Sequence, residues 1–511
     1  MFDLAGKHES YWLDTAPHTD YSALSGDTEV EVAVVGGGIV GLAAAEMLTR
    51  AGKRVAVLEA RRITEQVTGR TTAKLTALHG LIYDHLIRHF GLDAARLYAQ
   101  ANQTAIETIA NWIQEHHIDC DFERQPAYTF TAAASRVDDI RHEVEAAKKL
   151  GLPVQFVTEA PIPLPLAGAI RMDNQAQFHP RKFLIALAAK AVAGGCRIFE
   201  HTRVIDVHGE NPIRISTDRG NVTARDVIVA THLPILDRGA HFARAFPLAH
   251  VALTACIDEA QLPGGMFIMM GEQSYSFRRV NDPSGPLLMA IGPAFKPGHG
   301  SVAEKYTQLA AFVREHFGMR SFEHRWFNQD YYAADRVPYV GKLAPTSDHL
   351  YVATGFGGWG LTNGVAAATV LTGAITGRTH PWSTLYKSSR LKLRETAGKL
   401  LQENAHVARK WVRDHLTQPR QENLEQLPTG EGVVAKLNGE KVAAYRDDNG
   451  KLHTVSALCT HLGCVVQWND AERSWDCPCH GSRFAVDGAV LQGPAVHPLE
   501  SKPPQNASAK T

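Results

Sequence analysis

Two short boxes near the end of the chain, CTHLGC at 459–464 and CPCHGS at 477–482, gather four cysteines and two histidines. The donors run Cys459-x-His461, then Cys464, then Cys477-x-Cys479-His480. Thiolate and imidazole in one cluster suit either zinc or an iron–sulfur centre. A structural zinc would use four of the six and leave two cysteines without a role, whereas an iron–sulfur site gives work to all six. The other three cysteines, Cys120, Cys196 and Cys256, are scattered singly and read as buried thiols. In an intracellular protein, such crowding of the remaining four favours a metal over a disulfide scaffold.

A second chemistry opens the chain. In VVGGGIVGL at 34–42, Gly36, Gly38 and Gly41 follow an apolar strand run and open the small-residue helix LAAAEMLTRAG. The next strand, 54–58, ends in Glu59. Glycines at this spacing let the backbone approach a pyrophosphate, the helix start offers free N–H groups, and the carboxylate can accept ribose hydroxyls. The strand, turn, helix, strand order is a βαβ unit and requires a parallel sheet. By itself the fingerprint does not separate NAD from FAD.

The elements that position these motifs need several cores, since 511 residues exceed one ordinary domain. Lys plus Arg and Asp plus Glu number 53 each, so no global field points to nucleic acid or anionic lipid. The N-terminus lacks the basic start and apolar centre of a signal peptide, and no run reaches about 18 apolar residues. The expectation is a soluble, cytoplasmic protein with no membrane span and no nucleic-acid partner. Helical periodicity dominates 93–150, broken by the strand-like AYTFTAA, and the Pro-rich EAPIPLPLAG at 159–168 reads as a loop before another helix. Alternating runs with turn signals at Gly209, Asn211 and Gly220 suggest a small antiparallel meander, and strand-rich sequence continues to about 292. The stretch 386–425 is polar, helical and poor in glycine, a connector to the short strands that hold the two boxes.

The C-terminal pattern closely resembles the Rieske family over roughly the last 80 residues. The resemblance implies a [2Fe-2S] cluster with Cys459 and Cys477 on one iron and His461 and His480 on the other, and a disulfide between Cys464 and Cys479 as in the respiratory-type members. Histidine ligands raise such potentials to roughly −150 to +300 mV, and hydrogen bonds to the sulfurs adjust them within that window. Ser482 stands where high-potential members place a donor serine, and Phe484 stands where they place a tyrosine. A potential below that of the respiratory complexes is expected, and Phe484→Tyr should raise it.

Residues 30–380 resemble the D-amino acid oxidase-like (DAO) family. The resemblance rests on TGRTTAKLTALHG at 68–80 after the ribose carboxylate, ARDVIVAT at 224–231, DRVPYVG at 335–341 with Arg336 in place of a glycine, and LYVATGF running into GGWGLTNG at 350–364. It implies FAD, held by Gly36, Gly38, Gly41, Glu59, Thr71 and Thr72, and by a late turn of Gly355, Gly357, Gly358 and Gly360 whose helix dipole faces the isoalloxazine ring. The substrate pocket is less defined. Gln329, Asp330, Tyr331, Tyr332, Asp335 and Arg336 are its candidates, Arg336 as a fork for a carboxylate and the tyrosines to orient an amine; His79 reads as structural.

The expected architecture is an α/β FAD-binding Rossmann-like domain with an interleaved α+β substrate domain, plus a small all-β Rieske domain. Residues 1–385 form the oxidoreductase, with FAD-binding parts at about 30–92, 160–245 and 330–380 and substrate parts at about 93–159 and 246–329; 386–425 connect it to the Rieske domain at 426–505. The expected function is a flavin-dependent dehydrogenase that oxidises a small amine or amino acid and relays electrons through the cluster to a redox protein or carrier. Reverse flow and a non-catalytic redox sensor are the alternatives. A Rieske oxygenase is disfavoured, since DHLIRH at 84–89 has the wrong spacing for a mononuclear iron site.

Overall fold

The computed structural model describes residues 6–391, 393–416, 424–437 and 439–502. Thr28–Val35 is buried along nearly its whole second half because it lies between two parallel neighbours, Asn221–Val229 and Val55–Leu58. A strand covered on both faces reads as an unbroken apolar run, as VAVV does. Leu350–Thr354 and Arg197–Phe199 extend the parallel sheet on either side, and Tyr339–Lys342 closes one edge antiparallel. Val204–His208 and Ile213–Thr217 form the meander that leads into Asn221–Val229. Helices Ile39–Arg50 and Gly360–Ile375 pack on each other over this sheet, closely enough that a Cβ on Gly364 would lie 3.0 Å from the Ile39 side chain.

The second sheet has nine strands, ordered Ser321–Ala333, Ala245–Cys256, Leu287–Ile291, Tyr275–Val280, Met266–Met269, Glu123–Thr131, Gly168–Gln177 and Lys74–Leu75, with Val154–Val157 added to Gly168–Gln177. This corrects the sequence division, which gave all of 160–245 to the FAD-binding part. Gly168–Gln177 pairs with Glu123–Thr131 along its length. The Pro-rich 159–168 segment is therefore a return loop within the second sheet, not a crossing between sheets. Helix Val302–Phe317 covers the outer face of this sheet.

Short strands build the C-terminal unit: Gly432–Leu437, Glu440–Arg446 and Leu452–Ser456 in one sheet, and Gln467–Asn469, Ser474–Asp476, Arg483–Phe484 and Val490–Gln492 in another. Of the expected helical connector, Leu393–Leu416 is a helix, while 387–391 follow a turn pinned by Arg390; residues 417–423 lie outside the described residues. The unit seats firmly on the second sheet. Asp470 Oδ1 accepts from Val302 N at 2.8 Å and Ala303 N at 3.1 Å, completing the first turn of helix Val302–Phe317 from another part of the chain. Arg483 lies 4.3 Å over the Phe327 ring. Among the described residues no helix is long and apolar enough to cross a membrane.

Candidate functional site

A cavity of about 450 Å³ lies between the two sheets. At one end stands the first glycine turn. Gly36 has φ +111° and passes so close to Ala230 that a Cβ would sit 2.5 Å from its carbonyl oxygen. Gly38 caps helix Ile39–Arg50 without a side-chain bond, and no acidic residue occupies the first turn, so the positive helix end faces the cavity unneutralised. Glu59 Oε2 accepts from Gly37 N at 2.8 Å and Oε1 from Arg61 N at 2.9 Å. Burial pushes its carboxyl up, and these two N–H groups oppose the shift.

Thr71 and Thr72 line the middle of the cavity. At the far end Gly357 (φ +58°), Gly358 (φ +86°) and Gly360 open helix Gly360–Ile375, which again has no side-chain cap and no acidic first turn. Gly41 and Gly355 are not part of the wall; they stand behind it. A Cβ on Gly41 would lie 1.9 Å from Gly36 O. Two helix starts with no acidic residue in the first turn, a carboxylate at the ribose position and a glycine-lined cradle fit a dinucleotide such as FAD. Gly41→Ala overpacks this turn, at a cost on the order of 1–3 kcal/mol or more, and is expected to purify with about a tenth or less of the wild-type flavin. The ratio of flavin to protein absorbance checks this; full loading would mean that the turn yields.

Strand Ser321–Ala333 divides the predicted pocket residues by alternation. Asn328, Asp330 and Tyr332 face the cavity. Gln329 and Tyr331 face the other way, onto the second Cys box: Gln329 Nε2 donates to Gly481 O at 2.9 Å and Tyr331 Oη to His480 O at 2.7 Å. Asp330 accepts from Gly358 N and from His232 Nε2 at 2.8 Å. Tyr332 lies against the Gly357 turn and 3.3 Å from His250 Nε2. Arg336 reaches the cavity edge, where Nη2 donates to Leu81 O at 3.1 Å. Asp335 is no cavity residue; it pairs with Arg390. His79 is buried between Tyr98, Thr76 and the Trp359 ring, and desolvation lowers its pKa to about 3.

The sequence reading missed Lys74, His232, His250 and Ser276, all of which line the cavity. Lys74 is buried, hydrogen-bonded to Ser276 Oγ, and pairs with no carboxylate among the described residues. Burial, reinforced by the Arg278 guanidinium, drives its ammonium well below the ordinary lysine range. Its only sequence signal was a charged residue inside the apolar run TAKLTAL.

The two Cys boxes fold as matching turns. Cys459 N donates to Cys464 O at 2.8 Å and Cys477 N to Ser482 O at 2.7 Å, and Gly463 (φ +71°) and Gly481 (φ +74°) take the left-handed position in each. Cys464 and Cys479 form a disulfide. Although the sulfurs of Cys464, Cys477 and Cys479 lie within 4.8 Å of one another, the bonded pair is unavailable to a metal. The remaining thiols, Cys459 and Cys477, stand close enough to interact, and this proximity lowers the Cys459 pKa against the effect of burial. The His461 and His480 rings stand 5.0 Å apart, and both Nδ1 atoms are buried without a partner. Unpaired buried nitrogens are costly unless a ligand takes them, so two thiols and two open imidazole nitrogens fit a metal centre. Ser482 Oγ accepts from Ala495 N at 3.0 Å, which leaves its hydrogen to donate toward the Cys459 sulfur, whose pKa it lowers. Losing that bond in Ser482→Ala, at about 1 kcal/mol, should lower the potential by about 40 mV for a one-electron couple; an unchanged midpoint in a redox titration would remove Ser482 from the cluster's surroundings.

Known proteins resemble this arrangement in both halves. The FAD dependent oxidoreductase model (DAO) matches residues 31–374, and the Rieske [2Fe-2S] domain model matches 420–503. The "Putative Rieske 2Fe-2S iron-sulfur protein YhfW" of Bacillus subtilis (strain 168) is 38% identical over 494 residues, 96% of this chain and 97% of its own. Gamma-glutamylputrescine oxidoreductase of Escherichia coli (strain K12) is 27% identical over 45% of this chain and 55% of its own. The crystal structure of glycine oxidase from Geobacillus kaustophilus superposes with a TM-score of 0.59 at 18% identity, covering 71% of this chain and 99% of that one, which shows a shared fold.

Proposed function

Because this chain belongs to the FAD dependent oxidoreductase (DAO) family and carries a C-terminal Rieske [2Fe-2S] domain, we propose that it oxidises a small amine or amino acid and passes the electrons through the cluster to a separate redox protein or carrier. One observation carries this reading: a single strand, Ser321–Ala333, forms the cavity wall with one face and holds the backbone of a cluster box with the other. When bound, FAD accepts a hydride from a carbon next to nitrogen and the cluster carries single electrons.

The chain's residues prepare that chemistry. Asp330 fixes the Gly357–Gly358 turn through Gly358 N and orients His232. Asn328 Oδ1, buried and without a partner, is an acceptor open to a substrate N–H. Lys74, held toward its uncharged form, takes the proton that a substrate ammonium must lose before its C–H electrons can leave. The apolar side chains of Ile268, Met270 and Ile291 exclude water from the same wall. Gln329 and Tyr331 hold the second Cys box against the far face of the strand.

Anaerobic protein should show flavin bands and a Rieske EPR signal on reduction. A panel of amines and amino acids is added while both are followed. Flavin bleaching by one compound, with the cluster signal rising after it, is the expected result. A cluster reduced by a ferredoxin-type donor, with the flavin following and no amine active, would reverse the direction. Failure of every donor to reduce either centre would leave the redox-sensor alternative.

A further inference from the structure

His461 makes its outer hydrogen bond to a residue of the FAD-binding half: Nε2 lies 2.9 Å from Asp237 Oδ1. Asp237 belongs to the crossing between strands Asn221–Val229 and Ala245–Cys256, and that crossing is rigidly set. Gly239 has φ +85° and a Cβ there would lie 2.2 Å from Leu343 O; Arg238 Nη2 donates to Val207 O at 3.0 Å and Arg244 Nη2 to Gly239 O at 2.8 Å. A few residues on, the Phe242 ring meets His461 and His480 edge-on, at 6.0 and 5.3 Å. The carboxylate is thus brought to the cluster histidine by docking, not by the Rieske fold itself.

We propose that Asp237 is a positioning residue of the cluster, through which docking lowers the cluster's potential and reduction of the cluster in turn loosens docking. The buried, unpartnered Nδ1 of His461 is the atom left for iron, so Nε2 carries the hydrogen that the carboxylate accepts. A carboxylate accepting that hydrogen makes the imidazole a more electron-rich ligand. It also favours the oxidised cluster, which is more positive by one charge. Linkage makes the effect reciprocal: whatever docking does to the oxidised-to-reduced ratio, oxidation does to the docked-to-undocked ratio. A tenfold weaker docking of the reduced form corresponds to 59 mV in a one-electron couple. The inference rests on the relay reading only in placing a cluster at His461; it needs no amine turnover.

The full-length holoprotein is compared with Asp237→Asn, which keeps an acceptor oxygen and the shape at a half-exposed site but removes the charge. Dithionite supplies the single electron and is itself oxidised to sulfite. An EPR-monitored titration should show a higher midpoint in the variant, by about threefold to tenfold in the oxidised-to-reduced ratio at a fixed applied potential. Hydrogen exchange at 236–243 and 478–482 should be several-fold faster in reduced than in oxidised wild type, and this contrast should shrink in the variant. An unchanged midpoint, or equal exchange in both redox states of the wild type, overturns the proposal. Because dithionite replaces the substrate, a failed amine panel leaves both measurements intact, and both can fail while the panel succeeds.

Discussion

Lys74→Met is expected to slow anaerobic flavin bleaching by about 10²-fold or more at neutral pH, within the range a positioned general base contributes. The side chain keeps its length and apolar stem, so cavity volume and FAD content should hold. The pH profile carries the sign. A base works deprotonated, so wild-type bleaching is lost as pH falls through the lowered pKa of Lys74. In the variant only amine already deprotonated in solution can react. Its acid limb therefore moves to higher pH, toward the substrate amine's own value, and the deficit narrows in alkali. Stopped-flow bleaching across pH decides: parallel limbs, or an unchanged rate, would exclude Lys74 from the proton's route.

Asp335→Ala should give the largest loss of stability. Arg390 Nε and Nη2 reach the two Asp335 oxygens at 2.8 Å each, and both side chains are buried, at 9% and 3% exposure. Arg390 also donates to Pro338 O at 2.7 Å and lies 4.2 Å over the Tyr339 ring. Truncating one partner strands a buried guanidinium and costs on the order of 3–5 kcal/mol. Denaturant unfolding followed by flavin release should show this loss, and Asp335→Ala with Arg390→Ala together should cost less than the sum of the two. A single-variant loss under about 1 kcal/mol, the scale of an exposed pair, would mean that water reaches the site.

Local spacing made part of this site legible. The Cys boxes place their donors within one turn each, and the Gly36–Gly41 fingerprint with Glu59 spans one βαβ unit, so residue type and short-range geometry carry the signal. Facing is different. Alternation along 328–332 is plain in any strand, but which face meets the cavity depends on where the C-terminal unit docks, about 150 residues later. Strand Gly168–Gln177, inside the stretch 160–245 given to the FAD-binding part, was not read for the same reason: its partner Glu123–Thr131 is set by tertiary pairing. Lys74 drew no reading of its own, because burial without a counter-ion leaves no mark in sequence. Asp237 had no signal, since its partner lies 224 residues away.

The contact of Asp470 with helix Val302–Phe317 also sets a timetable. Ser301 and Asp470 are 169 positions apart, and Asp470 takes the first two N–H groups of that helix. At about 5–20 residues per second, a ribosome needs on the order of ten to thirty seconds to travel that distance. During that interval the nascent helix has its first two N–H groups open, and the last strand of the second sheet, Ser321–Ala333, is made early in the same interval. A growing chain thus finishes its middle only after its end has emerged, and one that stops short of residue 470 keeps the Ser301 cap on Glu304 N but leaves Val302 N and Ala303 N without their acceptor.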